Sequence, residues 1–404
     1  MSGLRARRLA ARRAERRRAV RRNAMLAAAC AVVAAGTVSG MLTAFDDGAG
    51  ADRAGGSGAG ASTRSEPLPV VPSRSPSTER SPSVTPSPAD TASASASRKV
   101  TATSASGTGT RPQAAVPGTR LYRHPQSQVL DWVRAHPGDP RRAVIEFRIA
   151  GRPASVWFAE FTPATVTSRV AAVTSGAAAQ DRVPVLVAYA VPNRDCGGHS
   201  QGGAPDLAAY DAWIDRFAAG LGSGEVIVVL EPDSVAQAGC LSAADRADRF
   251  ASLARAGRVL KAANPRARVY YDAGHSGWNP AARQAELLKQ AGAASPDSSD
   301  GIFSNVSNFH RTADEIAYDR RVLDALGGPE GLGAVIDTSR NGNGAPADGE
   351  WCDPAGRKIG QAPTLATGQA RIDAYLWVKL PGESDGCKGT PGTFAPDYAY
   401  DLAR

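Results

Sequence analysis

The apolar run 226–230 ends in Glu231-Pro232-Asp233-Ser234, and the run 184–191 ends in Pro192-Asn193-Arg194-Asp195-Cys196. Three later runs behave alike, leading to Asp272-Ala273-Gly274-His275, to Asp337-Thr338-Ser339-Arg340, and to Lys379 followed by Glu383-Ser384-Asp385. Acids gathered in a low-dielectric cleft cannot all ionise, so one is held protonated and can donate a proton near neutral pH. Carboxylate proton transfer is the chemistry on offer. Any single acid could instead cap a helix or pair with Arg194, Arg340 or Lys379, but the repetition at successive run ends favours catalysis. Trp157, Trp278 and Trp351 lie near these segments, and Tyr189 falls close to the end of one run. Flat apolar rings beside acids suit a sugar, whose C–H face stacks on an indole while its hydroxyls take polar partners. A polysaccharide cleft is the expectation.

Other chemistries lack their residues. No glycine-rich phosphate loop opens a helix after the first strand, and Asn341-Gly342-Asn343-Gly344 reads as a turn. His275 beside scattered acids is too little for a metal, so neither metal nor cofactor is expected. The formal charge of +8 is concentrated in residues 1–23, where ten arginines face Glu15. The remaining chain is near neutral, which argues against a nucleic-acid partner. Of five cysteines, Cys30 lies in an apolar segment; Cys196, Cys240, Cys352 and Cys387 remain for the folded part. Their spacing does not match a zinc cluster, and an even set fits two disulfides formed outside the cytoplasm.

The elements that must position these residues begin near residue 118, where apolar runs alternate with amphipathic segments. Strands are predicted at 155–161, 184–191, 226–230, 267–272, 301–306, 333–336 and 374–379, with helices such as 207–221, 243–261 and 280–291. Near-continuous Val, Ile, Leu and Tyr suits strands buried on both faces. The fold class is α/β: a distorted parallel (β/α) barrel of about seven strands forming a single catalytic domain over 118–404, with a doubly wound open sheet as competitor. In a parallel barrel the run ends share one face. Residues 1–23 read as an Arg-rich cytoplasmic or n-region, 24–45 as a signal peptide or a signal-anchor span, and 46–117 as a disordered Ser/Thr/Pro/Ala-rich linker. The positive-inside rule puts everything downstream outside, secreted or anchored to the outer face of the membrane.

In order along residues 120–404, the segments ending at Asp195-Cys196, Glu231-Pro232-Asp233-Ser234, Asp272 to Trp278, Asn305-Val306-Ser307-Asn308-Phe309, Asp337 to Asn343, Trp351-Cys352 and Trp377 to Gly386 resemble glycoside hydrolase family 6, the inverting cellulases. By that resemblance Asp233 is the general acid, Asp195 keeps it protonated and helps position the water, and Asp385 is the candidate base, direct or through a water chain. Ser200 orients the water and Tyr189 presses on the distorted sugar. Trp157, Asp272, His275, Trp278, Asn305, Trp351, Lys379 and Glu383 line sugar subsites. The resemblance also pairs Cys196 with Cys240 and Cys352 with Cys387. Ala190 departs from relatives that carry an acid or amide there. The implied activity is endo-acting inverting hydrolysis of β-1,4-glucosidic bonds by a monomer with a β-glucan as partner, because the loops after Asp233 and Asp385 are short. A cellobiohydrolase and a noncatalytic surface glycan-binding protein are the alternatives.

Overall fold

A computed structural model of the chain describes residues 120–198 and 200–404. The segments 1–23, 24–45 and 46–117, with Cys30, lie outside the described residues; among the described residues no helix is long and apolar enough to cross a membrane.

Seven strands pair in chain order: β1 Val156–Phe158, β2 Val185–Ala188, β3 Val226–Leu230, β4 Ala267–Asp272, β5 Gly301–Ser304, β6 Gly333–Asp337 and β7 Ile372–Leu376. Every pair is parallel. Parallel neighbours need long crossovers, usually helical. Helices α3 Val166–Ala178, α4 Leu207–Ala218, α5 Ala243–Ala263, α6 Ala281–Gln290 and α7 Thr312–Leu326 supply five of them; α1 Gln128–Ala135 and α2 Arg142–Ile145 precede the sheet and α8 Pro396–Ala403 follows it. The crossover from β6 to β7 carries no helix. Asp206 caps α4 by accepting from Ala209 N–H at 2.8 Å, and Ser242 caps α5 by accepting from Asp245 N–H at 3.1 Å, each contributing about 1 kcal/mol.

Side chains alternate with period two along the strands. Val185, Val187, Ile227, Val229, Tyr270, Phe303 and Val335 fill an interior cluster that contains no helix residue. Leu186, Ala188, Val228, Leu230, Tyr271, Ile302 and Ile336 pack outward against the helices. That two-sided burial is what near-continuous apolar runs require. The sheet curls into an incomplete barrel, and between its outer strands Ser155 N–H donates to Trp377 O at 3.0 Å.

Several predicted strands end early. β1 stops at Phe158, β2 at Ala188 and β5 at Ser304, because the chain then turns into irregular loops that reach the site. The last strand starts two residues before its predicted position and ends at Leu376. Asp373 hid its start. Ala334 pairs Ile372 while Val335 pairs Ala374, so Asp373 is the extra residue of a bulge. Its carboxylate accepts from the Tyr270 hydroxyl at 2.8 Å.

Candidate active site

The carboxyl ends of the strands open onto a groove of about 1520 Å³. The structure brings to its wall all but two of the residues expected at the site: Asp195, Ser200, Asp233, Asp385 and Tyr189, with Trp157, His275, Trp278, Trp351, Lys379 and Glu383. Asp272 and Asn305 are the exceptions. Both are buried beneath the groove rather than lining it. Asn305 spends its amide on backbone, donating to His310 O at 3.1 Å and Asp337 O at 2.9 Å and accepting from His310 N–H at 3.0 Å.

Asp272 and Asp233 are neighbours in opposite surroundings. Asp272 accepts from the N–H groups of Val235, Ala236 and Gly274 at 3.1, 2.8 and 2.9 Å. Such bonds stabilise the charged form, so Asp272 carries the negative charge of the pair even though burial raises its pKa. Burial, the charge of Asp272 and then that of Asp195 push Asp233 up to about 8 with no hydrogen bond opposing them. Asp233 is therefore a proton donor near neutral pH. Asp272 contributes more to that shift than Asp195, which reading the sequence had credited.

Glu231 and Asp337 repeat the pattern of Asp272. Glu231 accepts from Ala190 N–H at 2.9 Å and Val191 N–H at 3.0 Å, and burial lifts it to about 7 against those bonds. Asp337 accepts from Lys379 N–H and Ser339 N–H at 2.9 Å and from Ser307 N–H at 3.3 Å. Each of these acids laces the end of its own strand to a neighbouring loop. The sequence signal for them was the same as for the groove acids; burial separates the two sets.

Asp195 accepts from Ser200 N–H at 2.8 Å, and Arg194 donates to Ser200 O at 2.8 Å while lying 4.4 Å over the Tyr189 ring. Ser200 also falls in Gly198-His199-Ser200-Gln201-Gly202, the spacing of an esterase nucleophile elbow. That elbow needs a strand leading directly into a helix, whereas here β2 ends at Ala188 and α4 begins at Leu207. Asp385 lies between two cations, Arg340 at 2.7 Å and Lys379 at 3.1 Å. The buried Arg340 also donates to Ser307 O at 2.5 Å and covers the Phe309 ring at 4.4 Å.

Aromatic groups form two walls. Trp157 donates to Val378 O at 2.7 Å and meets Tyr189 edge-on at 5.4 Å between centroids. Opposite stand Trp278, His275 and His310, the histidine rings stacked at 4.3 Å. Burial and then His310 hold His275 near 3, leaving a neutral imidazole. His310 escaped the sequence reading because a lone His after Asn-Phe carries no spacing signal. Trp351 is 51% exposed on the β6–β7 crossover. Glu383 accepts from Gln128 of α1 at 2.9 Å and is pushed by burial to about 7 despite Lys379.

Eight residues around the groove take left-handed backbone without being glycine: Asn193, Asp195, Cys196, Glu231, Asp233, Asn305, Ser307 and Asp353. Disulfides brace all of their loops but the one carrying Asn305 and Ser307. Cys196–Cys240 joins the Asp195 loop to the end of the Asp233 loop, and Cys352–Cys387 joins the β6–β7 crossover to the Asp385 loop. Among the described residues no group of three or more His, Cys, Asp or Glu is arranged to hold a metal.

The family model described as glycosyl hydrolases family 6 matches residues 117–399. The chain is 51% identical over 290 residues to endoglucanase 1 of Streptomyces sp. (strain KSM-9), covering 72% of this chain and 79% of that protein. It is 50% identical over 284 residues to endoglucanase A of Thermobispora bispora, covering 70% of this chain and 61% of that protein. Among solved structures, the endoglucanase Cel6 from Mycobacterium tuberculosis, in complex with a methyl-cellobiosyl-4-deoxy-4-thio-β-D-cellobioside, superposes with a TM-score of 0.65 at 40% identity, covering 71% of this chain and 97% of that one.

Proposed function

The chain belongs to glycosyl hydrolases family 6, and from that membership we propose that it hydrolyses internal β-1,4-glucosidic bonds of cellulose or a related β-glucan with inversion. The observation that carries the proposal is Asp233: a carboxyl at the groove, protonated by burial and by the charges of Asp272 and Asp195, between walls of indole and imidazole rings.

In this reading Asp233 gives its proton to the leaving glycosidic oxygen. Tyr189 lies against the sugar ring bearing the reacting carbon. Water attacks that carbon from the opposite face, positioned by Asp195 and Ser200, and Asp385 receives its proton. Arg340 and Lys379 hold Asp385 at the groove, where it takes that proton directly or through intervening water. Inversion requires the acid and the base to stand about 6.5–9.5 Å apart so that water fits between them. Trp157, Trp278, Trp351, His275, Lys379 and Glu383 hold the flanking sugars.

Endo action is supported by the short loops: only six residues separate Asp233 from Cys240, and Cys387 follows Asp385 by two. Such loops leave a long chain free to enter sideways, and the endoglucanase relatives agree. A cellobiohydrolase would need them long enough to roof the groove. The two disulfides fit an oxidising compartment, so we place the domain outside the cytoplasm, released or held by residues 24–45.

The test is to follow carboxymethylcellulose viscosity and reducing ends together, with NMR on the first product from cello-oligosaccharides. Viscosity should collapse while few reducing ends appear, and the first product should be the α-anomer. Cellobiose released without a viscosity drop would refute endo action; an initial β-anomer would refute inversion.

A further inference from the structure

Beside Cys352, the β6–β7 crossover delivers a carboxylate that the scheme above leaves unused. Asp353 is 4% exposed and holds a left-handed backbone, φ +48°. One of its oxygens accepts from Asp385 N–H at 2.7 Å. The other accepts from the Ser384 hydroxyl at 2.6 Å and from the N–H groups of Lys388 and Cys387 at 2.9 and 3.0 Å. In return Asp353 N–H donates to Asp385 Oδ2 at 3.1 Å. Each acid thus grips the other's backbone. The exchange fixes the Asp385 carboxylate as well as its main chain.

Charge points the same way. Burial drives the Asp353 carboxyl up, but the bonds from Ser384, Asp385, Lys388 and Cys387 outweigh it and hold the group below the usual carboxylate range.

We propose that Asp353 is a positioning residue for hydrolysis, acting through Asp385: it fixes that residue's backbone and, through its own N–H, the orientation of its carboxylate. The proposal rests on Asp385 serving the water side of the reaction. It differs from a brace that merely keeps the loop folded, because its removal should cost turnover more than binding.

Every partner of the Asp353 oxygens is a donor, so asparagine in either orientation sets its NH₂ against a donor. In the full chain Asp353→Asn is expected to lower kcat on a soluble β-glucan about 10- to 100-fold with KM changed less than about 3-fold. Binding of cellotetraose, read by calorimetry, should be nearly unchanged. If Asp353→Asn does not fold, Ser384→Ala removes the shortest of the bonds, and kcat should fall about 3- to 10-fold at constant KM. Unchanged kcat in the folded variant, or equal losses in binding and turnover, overturns the proposal. A wild-type chain that releases no reducing ends from any β-glucan overturns the proposed function as well. An active wild type, an inert Asp233→Asn and a fully active Asp353→Asn overturn the Asp353 role alone.

Discussion

A carboxyl that must give up a proton near neutral pH needs to lose its water, to have negative charge nearby and to receive no hydrogen bond that favours its anion. Asp233 meets all three conditions, and at about 8 it stays protonated through the neutral range. The sign follows directly: activity needs the protonated form, so it should fall as pH rises through about 8. Asp233→Asn is expected to lower kcat on unactivated glucan by about 10²–10⁴-fold and to abolish that alkaline limb, while cellotetraose affinity persists. Asp195→Asn should move the limb toward lower pH, since one of the charges raising Asp233 is gone. A pH–rate profile of the three proteins decides the matter, and a limb that stays at the same pH in Asp195→Asn would contradict the electrostatic coupling. Asp272 cannot be probed so simply, because it also holds the Asp233 loop through Val235 and Ala236.

At the scale of elements, the strands bring acids to one face and the buried acids then fasten the loops to one another. Glu231 holds the end of β2, Asp272 the loop after β3, and Asp337 the loops after β5 and β7. Gly203 is the corresponding device on the Asp195 loop: its φ is +99°, and an added Cβ would stand 2.0 Å from Val191 O. Gly203→Ala should therefore cost about 1–3 kcal/mol, read as a lower urea midpoint, and slow turnover by displacing Asp195. Wild-type stability in that variant would show that the loop shifts at no cost. The βα alternation and the acids at the run ends were legible in the sequence because strand burial and polar strand termini leave a compositional mark. Which acids turn inward was not legible. Asp272 and Asp233 each follow or close an apolar run, and only the folded loops decide that one meets three N–H groups and the other none. The start of β7 was hidden for a related reason, since Asp373 breaks an apolar run yet finds Tyr270 in the fold.

For the whole molecule, the raised carboxyls predict how stability depends on pH. Burial lifts Glu231 and Glu383 to about 7 and Asp233 to about 8, so between the ordinary carboxylate range and those values the folded chain binds more protons than the unfolded one. Stability then falls as pH rises through that window. Asp353, held below its ordinary value, weakens the fold only at lower pH, and His275, held near 3, offsets part of the trend below the ordinary imidazole value without reversing the sum of the three carboxyls. Tm should be several degrees higher near about pH 5 than near about pH 8, measured by scanning calorimetry at constant ionic strength. A Tm that rises over this interval would contradict the assignment. The left-handed residues around the groove carry a further consequence. A non-glycine residue in that conformation costs about 1–2 kcal/mol, less for Asn and Asp, and here part of that cost falls on residues such as Asp195, Asp233 and Asp353. A laboratory selection for heat resistance alone would find glycine attractive at each of these positions, and every such gain would remove a side chain from the groove or its supports.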